Sequence, residues 1–315
     1  MCNLRHTTVE SPTQGDPLNA RQTLKKLLAD PEITQVPSVF DGLSARLAQD
    51  AGFKAVSVTG NGIAASLLGR PDIGLVSLTE SAQVARNIAN AIDIPVIFDA
   101  DTGYGSALNV TRAVQEFENA GVAGIKLEDQ VTPKRCGVLD IPIPVLTERE
   151  YLGKIEAALW ARQDPDFVIV ARTDAANTLG AEAAARRAQL AIDAGADAAM
   201  VVGIREQADI ETVLSIVHAP LLTLVEEKGP LSTMNVAEIG SMGFSVALYP
   251  GVIRYSMVGA ARRALRALMD EGHATSVRPL MATANEWNDL MDLNTYFDIE
   301  SRFVRGSGQA ETAVS

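Results

Sequence analysis

The feature that most constrains this chain is an alternation repeated eight times. Short apolar runs are each followed by a longer segment with apolar residues at three- and four-residue spacing. The runs are VPSVF (36–40), KAVSV (54–58), IPVIFDA (94–100), AGIKLE (123–128), FVIVAR (167–172), AAMVV (198–202), APLLTLV (219–225) and FSVALY (244–249). Segments such as TESAQVARNIANAI and AEAAARRAQLAIDAG separate them, and several of these end in Ala-Gly, as helix C-termini do. Strands apolar on both faces are buried on both sides, which is the environment of a parallel sheet covered by helices. Eight such units in about 250 residues predict a (β/α)8 barrel. The rival is an open doubly wound sheet, but no Gly-rich dinucleotide loop follows the first run. The expected organisation is a disordered segment over 1–16, the barrel over 17–272 and a helical extension over 273–315. Trp287, Leu290 and Met291 give that extension an apolar face, suited either to its own barrel or to a second subunit.

The balance of residues excludes several classes of function. The chain carries a formal net charge of −12 with no long basic run, so a nucleic-acid partner is not expected. No apolar run approaches the ~18 residues of a spanning helix, so no membrane partner is expected. Two cysteines, Cys2 and Cys136, build no disulfide framework, and a cytoplasmic location is the expectation.

In such a barrel the reacting groups stand at the C-terminal ends of the strands. Asp41 ends the first, Thr59-Gly60-Asn61 follow the second, and Asp99 and Asp101 end the third. Glu128 ends the fourth, Arg172 ends the fifth, and Asp72 lies in the loop before the third helix. Asp72, Asp99, Asp101 and Glu128 at one mouth would repel one another without a positive group between them. Hard oxygen donors with no histidine nearby point to Mg²⁺ or Mn²⁺. The competing reading of the Asp-x-Asp pair is a cap on the next helix. Arg172 suits a substrate carboxylate or phosphonate, or an internal bridge to the acids. The N–H groups of the Thr59-Gly60-Asn61 turn suit an anion at a helix start. Cys136 follows Lys134 and Arg135 in a polar stretch over 131–145 at the same mouth. Neighbouring positive charge favours thiolate, so a general acid or base on a mobile lid is expected there.

In this order and spacing, DADTGYG, KLEDQ, KRCG and ARTDA resemble the isocitrate lyase/phosphoenolpyruvate mutase superfamily over roughly residues 20–260. The resemblance implies a barrel whose last helix is exchanged between subunits of a dimer or tetramer. It implies Mg²⁺ at Asp99 and Asp101, with Asp72 and Glu128 acting through water. It places Thr59, Gly60, Asn61 and Arg172 on a carboxylate or phosphonate. It makes the Lys134–Gly137 segment the gating loop of the carbon–carbon lyases, with Cys136 as general acid/base and Lys134 and Arg135 beside it. Phe40 stands where methylisocitrate-cleaving members have tyrosine, Val138 where they have histidine, and Val202 and Thr223 where they have glutamate and asparagine. SVFD and VVGIRE resemble the oxaloacetate decarboxylase branch instead. The implied activity is Mg²⁺-dependent C–C cleavage of a small 2-hydroxy or 2-oxo di- or tricarboxylate, with decarboxylation of oxaloacetate as the alternative and a phosphonate mutase or hydrolase behind both.

Overall fold

The computed structural model describes residues 17–136 and 142–303, with side chains from residue 20 onward. The expected N-terminal segment, Gly137, Val138 and Cys2 lie outside the described residues. Eight strands, β1 (Thr34–Val39), β2 (Val56–Val58), β3 (Val96–Asp99), β4 (Gly124–Glu128), β5 (Val168–Thr173), β6 (Ala198–Val201), β7 (Leu221–Leu224) and β8 (Val246–Tyr249), close in sequence order. Every pairing is parallel, and β1 meets β8 to seal the cylinder. The predicted barrel is therefore the observed one.

Side chains alternate between two faces along each strand. Val36, Ile97, Val168, Val170, Ala198, Met200, Leu222 and Leu248 fill the interior. The intervening residues, among them Val58, Phe98, Ile125, Leu127 and Ile169, pack outward against helices. Residues that continue the interior phase past the last apolar layer open into the mouth: Ser38, Thr59, Asp99, Arg172, Val202 and Leu224. One rule thus places both core and site.

Helix starts are set locally. Ser77, Thr147 and Asn235 each cap a helix and are answered by a glutamate at the third helical position. Asp41 does the same work: its Oδ1 accepts from the Ser44 N–H at 2.7 Å. Gly62 allows a close approach. A Cβ there would fall 2.5 Å from that of Phe40, which is buried beneath the Thr59–Asn61 turn. Gly62→Ala is expected to cost about 1–3 kcal/mol by overpacking, read as a lowered urea midpoint. An unchanged midpoint would show that the turn relaxes freely.

The compact barrel unit ends at Gly259. From Ala260 the chain forms a second unit: the rest of the helix Val252–Glu271, a 3₁₀ turn Arg278–Leu280, and helices Ala284–Leu290 and Leu293–Phe303. Trp287, Tyr296 and Phe297 are half or more exposed in this single chain. No helix among the described residues is long and apolar enough to cross a membrane.

Candidate active site

The register of the sheet brings the charged strand ends together. Asp99 pairs across with Lys126, and Glu128 with Arg172. The Arg172 guanidinium is engaged on two sides. Its Nε and Nη2 donate to the two Asp174 oxygens at 2.9 Å each. Nη1 lies 2.9 Å from Glu128 Oε2 and 3.6 Å from Asp99 Oδ1. Arg172 is thus bound first to this chain's own acids, the internal bridge that the sequence left open beside the anion-binding reading.

Lys134 reaches back across the mouth. Its Nζ lies 2.7 Å from Asp72 Oδ1 and 2.7 Å from Asp101 Oδ1, with only 5% of its side chain exposed. Lys134 therefore neutralises acids rather than sitting beside the Cys136 thiol. Burial alone would depress its ammonium, but Asp101, Glu128, Asp99 and Asp72 together hold it well above the usual lysine range.

The acids differ sharply. Burial would raise Asp99, but Lys126, Arg172 and Lys134 outweigh it and bring the carboxyl down to about 2. Burial pushes Asp101 up to about 6, with Lys134 opposing and Asp99 and Asp72 reinforcing the rise. Burial also lifts Glu128 well above the carboxylate range despite Arg172. Asp101 sits past the strand end at φ 48°, a left-handed conformation that a short polar side chain tolerates.

Glu128 Oε1 is buried with no hydrogen-bond partner among the described residues, while Asp99 Oδ1 and Glu128 Oε2 face only Arg172 and Asp101 Oδ1 faces only Lys134. Buried carboxylates are normally satisfied by several donors, so acids this thinly partnered at one mouth fit an oxygen-seeking cation. As the side chains stand, no three acid, histidine or cysteine groups among the described residues are drawn into a metal-holding cluster. The Lys134 ammonium takes the place between Asp72 and Asp101, and a cation held by Asp101 would have to displace it.

Above these groups opens a cavity of about 530 Å³. Thr59, Asn61, Asp72, Asp99, Lys134, Arg135, Cys136, Arg172 and Val202 all line it. The Gly60 N–H is given to Asp99 Oδ2 at 3.4 Å. A Cβ on Gly60 would meet Lys134 Nζ at 3.0 Å, so this turn backs onto the acids. Asn61 Nδ2 donates to Cys136 Sγ at 3.3 Å. The chain before the thiol is fixed by Gln130, whose Oε1 accepts from Arg135 N–H at 2.7 Å and whose Nε2 donates to Arg135 O at 3.0 Å. The Arg135 guanidinium donates to the carbonyls of Pro133 and Lys134.

Six expected positions do not line this cavity: Phe40, Asp41, Gly60, Asp101, Glu128 and Thr223. Asp41 is a helix cap. Phe40 belongs to the packed layer outside the barrel, because β1 ends at Val39 and the chain turns there. Thr223 points away from the interior, and its neighbour Leu224 takes the place at the mouth. Glu128 lies fully buried under Arg172 rather than on the cavity surface.

Other site residues escaped the sequence reading. Lys126 is buried in the barrel interior, donating to Ser57 Oγ at 2.8 Å and Val58 O at 3.1 Å. Burial lowers its ammonium, and Asp99 opposes the fall. The signal was present: in Ile125-Lys126-Leu127-Glu128, period two puts Lys126 on the same face as Glu128. Arg254 also lines the cavity, with Nε and Nη1 buried and without a hydrogen-bond partner among the described residues, as does Asn177 with its Nδ2. Both sit beyond strand ends, where no periodicity speaks for a side chain. Asp129, the neighbour of Glu128 in sequence, is structural. Its oxygens accept from Thr173 Oγ1, the Asp174 N–H and Arg187 Nε.

Comparison with known proteins agrees with this architecture. The family model described as phosphoenolpyruvate phosphomutase matches residues 24–269. The 2,3-dimethylmalate lyase of Eubacterium barkeri is 36% identical over 289 residues, covering 92% of this chain and 100% of that protein. A probable 2-methylisocitrate lyase of Corynebacterium glutamicum is 40% identical over 280 residues, covering 89% and 91%. Among solved structures, a phosphonopyruvate hydrolase in complex with oxalate and Mg²⁺ superposes with a TM-score of 0.82 at 28% identity, covering 90% of this chain and 99% of that one. Matches that span the whole barrel, to relatives this similar over nearly their full lengths, place the chain in the phosphoenolpyruvate phosphomutase family of the isocitrate lyase/phosphoenolpyruvate mutase superfamily, as an enzyme of the carbon–carbon lyase class.

Proposed function

We propose that the enzyme cleaves a carbon–carbon bond in a small 2-hydroxy or 2-oxo dicarboxylate, an alkylmalate or a methylisocitrate-like acid, releasing a 2-oxo acid such as pyruvate and a carboxylate. The observation that carries this reading is the convergence of the thinly partnered Asp99, Asp101 and Glu128 carboxylates with a cysteine thiol on the wall of the adjoining cavity. An apolar wall of Met200, Val202, Ile204 and Leu224 supports an alkyl substituent on the substrate. Asp99 and Asp101, with Asp72 and Glu128, would hold Mg²⁺ or Mn²⁺. Such an ion, when bound, supplies charge stabilisation to oxygens that become electron-rich as the bond breaks.

The chain's own residues carry the remaining steps. Lys126 and Arg172 set a positive field at the cavity floor, in a buried place where it acts strongly on developing negative charge. Asp174 grips Arg172 by two bonds and fixes its plane. Asn61 orients the Cys136 sulfur. For a 2-hydroxy acid, the hydroxyl proton leaves to solvent in the cavity, the C–C electron pair passes to the departing carbon as the new carbonyl forms, and the thiol donates its proton to that carbon.

A screen of malate, alkylmalates, citramalate, oxaloacetate and phosphonopyruvate with Mg²⁺, detecting 2-oxo acid release, tests the reading. Turnover of a 2-hydroxy acid is expected, abolished by chelation and restored by Mg²⁺ or Mn²⁺. Loss of carbon dioxide from oxaloacetate alone would instead assign a decarboxylase.

A further inference from the structure

Arg172 looked like the partner for a substrate carboxylate, yet its Nε, Nη1 and Nη2 each already face an acid of this chain, Asp174 or Glu128. A dicarboxylate carries a second charged end, for which the cavity wall holds further donors. Asn177 offers one. It follows β5 on the short helix Ala176–Leu179, and its side chain lines the cavity. Its Nδ2 is buried with no hydrogen-bond partner. Amide donors left unpaired in a protein interior are uncommon, and one on a cavity wall is satisfied when a ligand supplies the acceptor.

The position of this amide is enforced from the next strand. Gly203, just past β6, has φ 92°. A Cβ built there would lie 2.6–2.7 Å from the Asn177 amide atoms. The side chain therefore rests on the Gly203 backbone, in space that no other residue type would leave. Two segments, one after β5 and one after β6, cooperate to hold an amide whose Nδ2 has no hydrogen-bond partner among the described residues. It shares its stretch of wall with Ile204 and Arg205, beyond the cation-seeking acids of β3 and β4.

We propose that Asn177 is a specificity-determining residue whose Nδ2 donates to the carboxylate of the substrate that does not react. This rests on the reading of the substrate as a dicarboxylate. It assigns the discrimination between one-carboxylate and two-carboxylate acids to the β5–β6 side of the mouth and not to Arg172.

Binding without turnover separates this proposal from the activity. Calorimetric titrations with oxalate and with succinate, both in the presence of Mg²⁺, are run on the full chain. Oxalate joins its two carboxylates directly, whereas succinate holds its second carboxylate two methylene groups away. Asn177→Ala is expected to weaken succinate by about tenfold, the loss of one hydrogen bond to a charged group, with oxalate changed less than about twofold on the same energy scale. Asn177→Asp keeps the shape, replaces the donor by an acceptor, and is expected to weaken succinate further. Melting temperatures near that of the wild type show that both variants fold. Equal losses for both ligands, no loss for succinate, a tolerated aspartate, or a wild type that binds oxalate but not succinate would each overturn the proposal. A wild type that binds succinate through Asn177 yet releases no 2-oxo acid from any substrate would retain this subsite and overturn the lyase reading alone.

Discussion

Cys136→Ser is expected to lower kcat for C–C cleavage by about 10²–10⁴-fold, the usual worth of a positioned acid or base. The substitution changes one atom and keeps the partner, since Asn61 Nδ2 can donate to a hydroxyl as it does to the sulfur 3.3 Å away. What changes is acidity. A free thiol ionises near pH ~8.5, and an aliphatic hydroxyl releases its proton far less readily. The variant should therefore bind oxalate and Mg²⁺ as the wild type does and fail at proton delivery. Single-turnover measurements of 2-oxo acid release, beside isotope exchange from solvent into the carboxylate product, would read this directly. A loss below about threefold would remove Cys136 from the chemistry, and would favour decarboxylation, which requires no such acid.

The largest expected effect on stability lies outside the cavity. Arg187→Met should destabilise the barrel by about 3–5 kcal/mol, the cost of breaking a buried ion pair by removing one partner. Arg187 is 4% exposed and Asp129 is fully buried, with Nε 2.9 Å from Oδ2. Arg187 also donates to Leu146 O at 2.8 Å and stacks 5.6 Å from the centroid of Tyr151. Tyr151 in turn donates to Arg172 O at 2.8 Å, which ties this network to the site. Methionine would fill much of the volume and leave the Asp129 charge uncompensated. Urea denaturation followed by circular dichroism gives the free energy. A loss under about 1 kcal/mol would mean that the carboxylate is compensated by Thr173 and the Asp174 N–H alone.

How far the chain announces itself depends on whether a feature is periodic or long-range. The barrel was legible because eight apolar runs repeat one pattern, and the observed strands fall on those runs. Asp99, Glu128 and Arg172 were legible as polar residues continuing the inward phase. Thr223 shows the limit of that logic. Alignment selected it, but the side-chain period of a strand is two, so a one-residue slip moves the chosen position to the opposite face. Leu224 holds the inward place. Asp41 looked like another strand-end carboxylate, and only the hydrogen bond to Ser44 identifies it as a cap. Lys134 was assigned by its closeness in sequence to Cys136. Its long side chain instead bonds Asp72, 62 positions away, and no local pattern could encode that. Arg187 and Asp129, 58 positions apart, were hidden for the same reason.

The grip of Gln130 on both backbone groups of Arg135 bounds how the reactive sulfur can travel. Cys136 is one peptide beyond a post driven into the end of β4, so its α-carbon can swing only on a radius of about 3.8 Å unless both bonds to Gln130 part first. Small excursions would leave the thiol over the cavity, while a wide one needs the post itself to let go. Whatever swings this gate leaf open must first lift it off its hinge pin.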